Sequence, residues 1–374
     1  MHNSQSTSVR PTPAGFKPGV LKGSIATLTR WWHKRAFAAP RGKRLNLALQ
    51  GGGAHGAFTW GVLDALLDHP QIDFDALSGS SAGAVNAVVL TQGWLAGGRQ
   101  GAKDALSAFW QEVGARVPWP LMTTGNGESI SLSASTRMLA NWMGMFAPTE
   151  INPLGVNPLR EVLTRQIDFE RIRQHSPFKL FVAATHVNTG RLRLFREHEL
   201  SADMLLASAC LPKIHHTVKI DGEPYWDGGY SANPAVFPLI HDSHCNDILL
   251  VLLAPHQDDD LPQGMEAIEA RIQELGFKSH FLREMHMYAR TLGSTPVRLT
   301  PWGTNQHGLQ RKRFHLIDAN GLQVLRRSET KVLAYTPFLE LLRDKGREQA
   351  QLWLEHNAAF IGKRSTLNWA LWKA

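Results

Sequence analysis

Apolar positions in this chain fall into short runs that alternate with polar or glycine-rich turns. Six runs are typical of strands buried in a sheet, in chain order LNLAL, FDALSGS, KLFVAATHV, RLRLF, DILLVLLA and RFHLI. Helical spacing follows the first two, in AFTWGVLDALLD and AGAVNAVVLTQGWL, and returns at about 262–292 and 328–358. Since such strands need helices on both faces, the pattern predicts an α/β fold, a three-layer α/β/α sandwich with a mostly parallel central sheet and a helical C-terminal part.

Composition narrows the class of protein further. The 374 residues, 43% of them hydrophobic, are enough to bury a sizeable core. The two cysteines, Cys210 and Cys245, exclude a disulfide scaffold and a cysteine-based zinc site. No uncharged apolar run reaches the ~18 residues that a membrane-spanning helix requires. We therefore expect a cytoplasmic protein whose membrane contact, if it has any, is peripheral.

The net charge of +8 is concentrated at one end of the chain. Residues 1–44 carry nine basic and no acidic side chains, and the remainder carries 31 basic and 32 acidic ones. A neutral body excludes a general nucleic-acid surface, because phosphate binding requires clustered positive charge on the folded face. We predict a basic, partly disordered N-terminal arm over 1–44 and one domain over 45–374, with a core at 45–255 and a helical part at 256–374.

The arm contains an apolar stripe at helical spacing, formed by Leu21, Ile25, Leu28 and Trp32, with basic residues mainly off the stripe. Basic amphipathic segments with tryptophans bind anionic bilayer surfaces. A helix packed on the body, or a solvated linker, explains the same residues, since Gly23 and several threonines weaken the helix. An arginine-rich transit peptide is also compatible with the composition.

A glycine loop follows the first strand and precedes the first helix. Read alone, Gly51, Gly53 and Gly56 match a dinucleotide-binding fingerprint. That fingerprint requires an acidic residue at the end of the second strand, where this chain has SGSSAG instead. The loop still offers consecutive unhindered amides at a helix N-terminus, which suit the oxyanion of a tetrahedral intermediate. A tight structural turn is the simpler alternative.

The second strand leads into a nucleophile motif, Gly79-Ser-Ser-Ala-Gly83, of the G-x-S-x-G type. Small flanking residues allow a strained turn that exposes the central side chain, Ser81, beside a helix N-terminus. Ser78 and Ser80 lie off the central position, so we expect structural roles for them. Such pentapeptides are common by chance, and the upstream glycine loop is what makes this one informative.

A serine nucleophile needs a base, and Asp227 in the turn YWDGGY is the candidate. Most Asp-Gly turns are purely structural. The order of GGGAHG, GSSAG, ASACLP, DGG and SANP, however, resembles the patatin-like phospholipases over most of residues 45–255.

That resemblance implies a patatin-like fold and calcium-independent hydrolysis of lipid acyl esters without a cofactor. It implies Ser81 as nucleophile, Asp227 as its partner in a Ser-Asp dyad, and the backbone amides of Gly51, Gly52 and Gly53 as the oxyanion hole. Many members of the family carry arginine or lysine in the glycine loop where this chain has His55, which leaves the role of that cation open. The expected partners are a lipid or acyl-ester substrate and, through the arm, an anionic membrane.

Two other functions fit parts of the sequence. A Ser-His-Asp esterase would take its histidine from His241, His244 or His256, all of which lie in polar turns. His215 and His216 precede the acid and break that chain order. A non-catalytic lipid-surface protein is the other alternative, and the intact serine, aspartate and glycine loop argue against it.

Two further stretches have alternative interpretations. HDSHC and the acidic run Asp258–Asp260 lack convincing metal-ligand spacing, so we expect solvated loops and no metal. Residues 116–158 contain MLANWMGMF, whose adaptable side chains suit an acyl-chain groove or a lid. Ordinary core packing explains these residues equally well.

Overall fold

A computed structural model describes residues 42–116, 122–253, 261–293 and 309–372. The amphipathic stripe of the arm, His256 and Asp258–Asp260 lie outside the described residues. Lys43 and Arg44, which we assigned to the arm, form the start of the first strand. The Lys43 ammonium donates to the carbonyl of Ala358 at 2.6 Å, and Arg44 lies 3.5 Å from the carboxylate of Asp75. Two basic side chains of the predicted arm therefore belong to the folded body.

The strands occur where the apolar runs predicted them, together with short strands that the runs did not indicate. They are β1 (Lys43–Leu49), β2 (Ile72–Ser80), β3 (Thr123–Thr124), β4 (Ser131–Leu132), β5 (Lys179–His186), β6 (Leu192–Arg196), β7 (Val218–Ile220), β8 (Glu223–Asp227), β9 (Asp247–Leu252) and β10 (Arg313–Asp318).

The helices follow the predicted order, and both long C-terminal helices are present. They are α1 (Gly56–Asp68), α2 (Ala82–Ala115), α3 (Ala134–Met143), α4 (Pro148–Ile151), α5 (Pro158–Gln166), α6 (Phe169–His175), α7 (Ala202–Ser208), α8 (Phe237–His241), α9 (Met265–Gly293) and α10 (Thr336–Asn357). No helix of the described residues is long and apolar enough to cross a membrane.

The central sheet confirms the predicted fold class. Its strand order is β10-β9-β1-β2-β5-β8-β7, with β6 paired to β5. The five strands from β10 to β5 are parallel, whereas β6, β7 and β8 form antiparallel pairs. Carboxyl ends of parallel strands share one edge of a sheet, so β1 and β2 deliver the residues that follow them to the same place.

Alternation along the strands separates the two helical layers. Leu47 and Leu49 of β1 belong to the larger apolar cluster, which includes α1, α2 and α10. Ala48 points to the other face, where Phe281 and Met285 of α9 pack. Because side chains alternate along a strand, each central strand contributes to both cores, which explains its nearly continuous apolar sequence.

The helical C-terminal part belongs to this body. Helix α10 packs on α1 so closely that a Cβ on Gly346 would meet the carbonyl oxygen of Phe58 at 2.0 Å. Arg347 of α10 also pairs with Asp64 and Asp68 of α1. The C-terminal residues therefore support the helix that follows the glycine loop.

Helix α3 of the middle segment does not form ordinary core packing, whereas Ile130 and Leu132 before it are buried in the larger apolar cluster. In α3, Met138 is 77% exposed and Trp142 is 53% exposed. The ring of Trp142 packs edge-on against Phe146, with centroids 5.1 Å apart. The interpretation as core is wrong for this helix, and the interpretation as a groove or lid stays a prediction.

Candidate active site

Ser81 lies on a sharp turn between β2 and α2. Its backbone has φ 52° and ψ −125°, a left-handed conformation that is rare outside glycine and is typical of strained functional positions. The turn needs glycine at Gly83, where a Cβ would lie 2.2 Å from the carbonyl oxygen of Leu49. The neighbouring serines face inward, since Ser78 donates to the carbonyl of Ala235 at 2.7 Å and Ser80 donates to that of Ala232. Ser81 is therefore the serine that lies on the turn, and its role as nucleophile stays a prediction.

The glycine loop passes directly beside this turn. A Cβ on Gly51 would lie 2.9 Å from the Cβ of Ser81. The amide of Gly51 donates to the Asn233 side-chain oxygen at 2.7 Å, and the Asn233 amide group donates back to the Gly51 carbonyl at 3.3 Å. The Gly51 amide is therefore engaged in holding the loop. Asn233, part of the SANP segment, is a loop-holding residue that the sequence did not single out.

The next two amides of the loop are available to a ligand. Within the described part of the chain, no hydrogen bond engages the amides of Gly52 or Gly53. Gly53 has φ +60°, and a Cβ there would lie 2.3 Å from the carbonyl oxygen of Lys331, so glycine is required. Of the three predicted oxyanion-hole residues, Gly52 and Gly53 are the two with free donors.

Asp227 ends β8 in the adjoining part of the sheet and is almost completely buried. Its carboxylate accepts the amide of Gly229 at 2.7 Å. Burial raises the pKa of Asp227 from an ordinary 3.8 to about 7, although the Gly229 amide and the nearby Ser81 side chain act in the opposite direction. The structure thus brings together the predicted nucleophile and a carboxylate whose pKa suits a base near neutral pH.

The end of α7 holds both of these residues by their backbones. The Ser208 hydroxyl accepts the amide of Ser81 at 2.9 Å. Two residues later, the carbonyl of Cys210 accepts the amide of Asp227 at 2.8 Å. We call Ser208–Cys210 the brace. These residues lie in the ASACLP segment, which the sequence marked as a motif without indicating this role.

His55, the unusual residue of the glycine loop, is buried and bonded to the C-terminal part. Its Nε2 lies 2.8 Å from the Thr330 hydroxyl, which also lies within hydrogen-bond distance of the carbonyls of Val324 and Arg327. Because carbonyl oxygens only accept, the hydroxyl proton is best used towards one of them, and His55 then donates from Nε2. Burial first, and the charge of Lys331 second, lower the pKa of His55 well below 6.5. His55 is thus a neutral connector to the segment Ser328–Val332, which we call the strap.

The two described histidines of the alternative triad, His241 and His244, lie away from Ser81. His241 ends α8 and His244 precedes β9, where its amide donates to Asp75 at 2.9 Å, so both lie near the amino ends of the parallel strands. Ser81 lies at the carboxyl end of β2. His215 accepts the amide of Leu211 at 3.2 Å, and the His216 ring lies 3.2 Å from the carbonyl of Pro148. The described residues contain no group of three or more His, Cys, Asp or Glu side chains that could hold a metal ion.

Comparison with known proteins identifies one family. A family model described as patatin-like phospholipase matches residues 47–240. No curated protein matches the chain. Among solved structures, VipD from Legionella pneumophila is similar at 15% sequence identity, over 82% of this chain and 68% of that chain, with a TM-score of 0.34. The family match includes the glycine loop, Ser81 and Asp227.

Proposed function

The chain belongs to the patatin-like phospholipase family, and from this premise we propose that it is a serine lipid acyl hydrolase that uses Ser81 and Asp227 as a catalytic dyad. Family membership supports lipid acyl hydrolysis in general. The observation that supports the finer proposal is the strained Ser81 turn, whose serine lies close enough to the buried carboxylate of Asp227 to lower its pKa. Its substrates are carboxylic esters of phospholipids or related lipids.

In the first half-reaction, Asp227 accepts the proton of the Ser81 hydroxyl as Oγ attacks the ester carbonyl carbon. The carbonyl oxygen becomes an oxyanion that the amides of Gly52 and Gly53 stabilise, while Gly51 stays bonded to Asn233. The tetrahedral intermediate collapses, the bond to the leaving alcohol breaks, and the alcohol oxygen takes the proton from Asp227. The acyl group remains on Ser81.

In the second half-reaction, water attacks the acyl carbon and passes a proton to Asp227. The bond from the acyl carbon to Ser81 Oγ breaks, Ser81 recovers the proton, and the fatty acid leaves. Asp227 has to be ionised at the start of each step, so activity should rise with pH through about 7.

Labelling with a fluorophosphonate and substitution of Ser81 test this proposal. The probe should label Ser81, and Ser81→Ala should stay folded while its ester hydrolysis falls by several orders of magnitude. Full activity of Ser81→Ala would exclude the mechanism. His241→Ala, His244→Ala and His256→Ala are the controls, and a histidine among them as essential as Ser81 would favour the triad esterase instead.

A further inference from the structure

Lys331, in the strap, lies against the proposed oxyanion loop. Its carbonyl oxygen lies 2.3 Å, and its Cβ 3.7 Å, from the position that a Cβ on Gly53 would occupy. The neighbouring Thr330 bonds to His55 of the same loop. The main chain of Lys331 is thus fixed beside the two free amides.

The ammonium group of Lys331 is partly buried and carries an uncompensated charge. Burial lowers the pKa of Lys331, and the charge of Glu274 only partly offsets that effect. Glu274 lies 3.7 Å from Arg271, and Glu329 of the strap pairs with Arg137 at 3.2 Å. Among the described residues, no carboxylate forms an ion pair with Lys331. A desolvated cation without a counterion is costly, and such groups concentrate at sites that bind an anion.

The contacts of Lys331 place it beside the glycine loop of the candidate active site. On one side is the glycine loop, where its charge acts on His55. On the other is Glu274 of α9, and one turn further along α9 the ring of Phe277 would lie 2.1 Å from a Cβ on Gly229. Helix α9 therefore covers the turn that follows Asp227, and Lys331 lies between this helix and the loop. An anion held there would lie beside Gly53, whose amide is proposed to stabilise the oxyanion.

We propose that Lys331 binds the phosphate of a glycerophospholipid whose acyl ester lies at Ser81, and so makes the site selective for phosphate-bearing lipids over neutral esters. The inference rests on the proposed lipid acyl hydrolase function. A lysine ammonium is a compact charge that suits a phosphate, and the glycerol unit that separates phosphate from ester is short. Lys331 is a specificity-determining residue and takes no part in proton transfer.

The test compares Lys331→Met and Lys331→Arg with wild-type protein on three substrates. These are phosphatidylglycerol in mixed micelles, diacylglycerol with the same acyl chains in the same micelles, and soluble p-nitrophenyl butyrate. Lys331→Met should lose about 10- to 100-fold in kcat/KM on the phospholipid, the range expected for one charge-assisted contact, and less than about 3-fold on both neutral esters. Lys331→Arg should recover most of the phospholipid activity. Lys345→Met is the matched control, since Lys345 lies on α10 and pairs with Glu348 at 3.2 Å.

Each outcome decides the question. Equal losses on all three substrates would overturn the proposal, because Lys331 would then support the oxyanion or the loop instead of the lipid phosphate. Unchanged phospholipid activity in Lys331→Met would also overturn it. Lys331→Gln is the second variant should the methionine protein fail to fold. Wild-type protein that hydrolyses none of the three esters would reject the proposed function itself, a result distinct from loss of selectivity.

Discussion

The carboxylate of Asp227 combines a functional benefit with a cost in stability. Its environment is apolar enough to raise its pKa to about 7, which suits its proposed role as a base, and the same burial opposes the ionised form that the proposed mechanism needs. The amide of Gly229 and the hydroxyl of Ser81 offset part of that cost. The folded chain therefore retains a buried carboxylate whose desolvation lowers its stability, which an ordinary apolar core avoids.

Asp227→Asn should abolish turnover and stabilise the protein above neutral pH. Between about pH 4 and 7 the folded wild-type protein holds a proton at Asp227 that the unfolded chain releases, so its stability falls as pH rises through this window. A shift of about three pKa units corresponds to at most about 4 kcal/mol. Thermal unfolding at pH 8 should give a higher Tm for Asp227→Asn than for wild type, and the difference should vanish near pH 4.

Asp221→Asn, in an exposed turn, is the control for this prediction. Identical pH dependence of Tm in wild type and Asp227→Asn would exclude the raised pKa of Asp227.

At the scale of secondary-structure elements, the candidate site is built from the segments that follow the neighbouring strands β1 and β2. The brace and the strap hold these segments in place. The sequence predicted the strands before the glycine loop and before Ser81, because apolar runs ending in glycine are a local signal. It did not predict the roles of Ser208 or Thr330, since each depends on a single hydrogen bond across 127 and 275 residues of sequence. Contacts between residues so far apart in the chain produce no sequence periodicity from which they could be predicted.

The brace offers a prediction about positioning. Ser208→Ala would leave the buried amide of Ser81 without an acceptor, at a cost of about 1–3 kcal/mol, and would relax the strained turn. We expect kcat and the rate of fluorophosphonate labelling to fall by about 10-fold or more with KM nearly unchanged. Ser208→Thr, which keeps the hydroxyl, should restore much of the rate.

Ser201→Ala is the matched control for the brace, because Ser201 begins the same helix without a side-chain cap bond. A Ser208→Ala protein that loses stability while its labelling rate and kcat remain at wild-type values would show that the hydroxyl serves folding alone.

For the molecule as a whole, the sequence predicted the layers, the parallel core and the helical C-terminal part. The antiparallel pairs of β6, β7 and β8 were harder to predict from the sequence, because β7 and β8 are short and partly exposed and give no continuous apolar run. The C-terminal part is more than an addition to the core. Through His55 and Gly53 it contacts the glycine loop, so the candidate active site includes residues beyond the family match over 47–240.

The charge distribution of the whole chain leads to the last prediction, which concerns the N-terminal arm. Residues 1–44 carry nine basic and no acidic side chains, six of the basic ones lie within 1–40, and the rest of the chain is nearly balanced. Deletion of residues 1–40 should leave hydrolysis of a soluble short-chain ester nearly intact, because the described body, from residue 42 onwards, contains the glycine loop, Ser81 and Asp227. Binding to anionic vesicles should weaken by orders of magnitude at low salt, since each basic residue near such a surface contributes roughly 1 kcal/mol.

Cosedimentation of full-length and truncated protein with vesicles at low and high salt separates the contribution of the basic residues from that of the apolar stripe. Salt screens the attraction of the basic residues and leaves the burial of the apolar stripe unchanged. Equal cosedimentation at low salt would exclude the arm as an anchor, and a truncated protein that fails to fold would assign the stripe to the core.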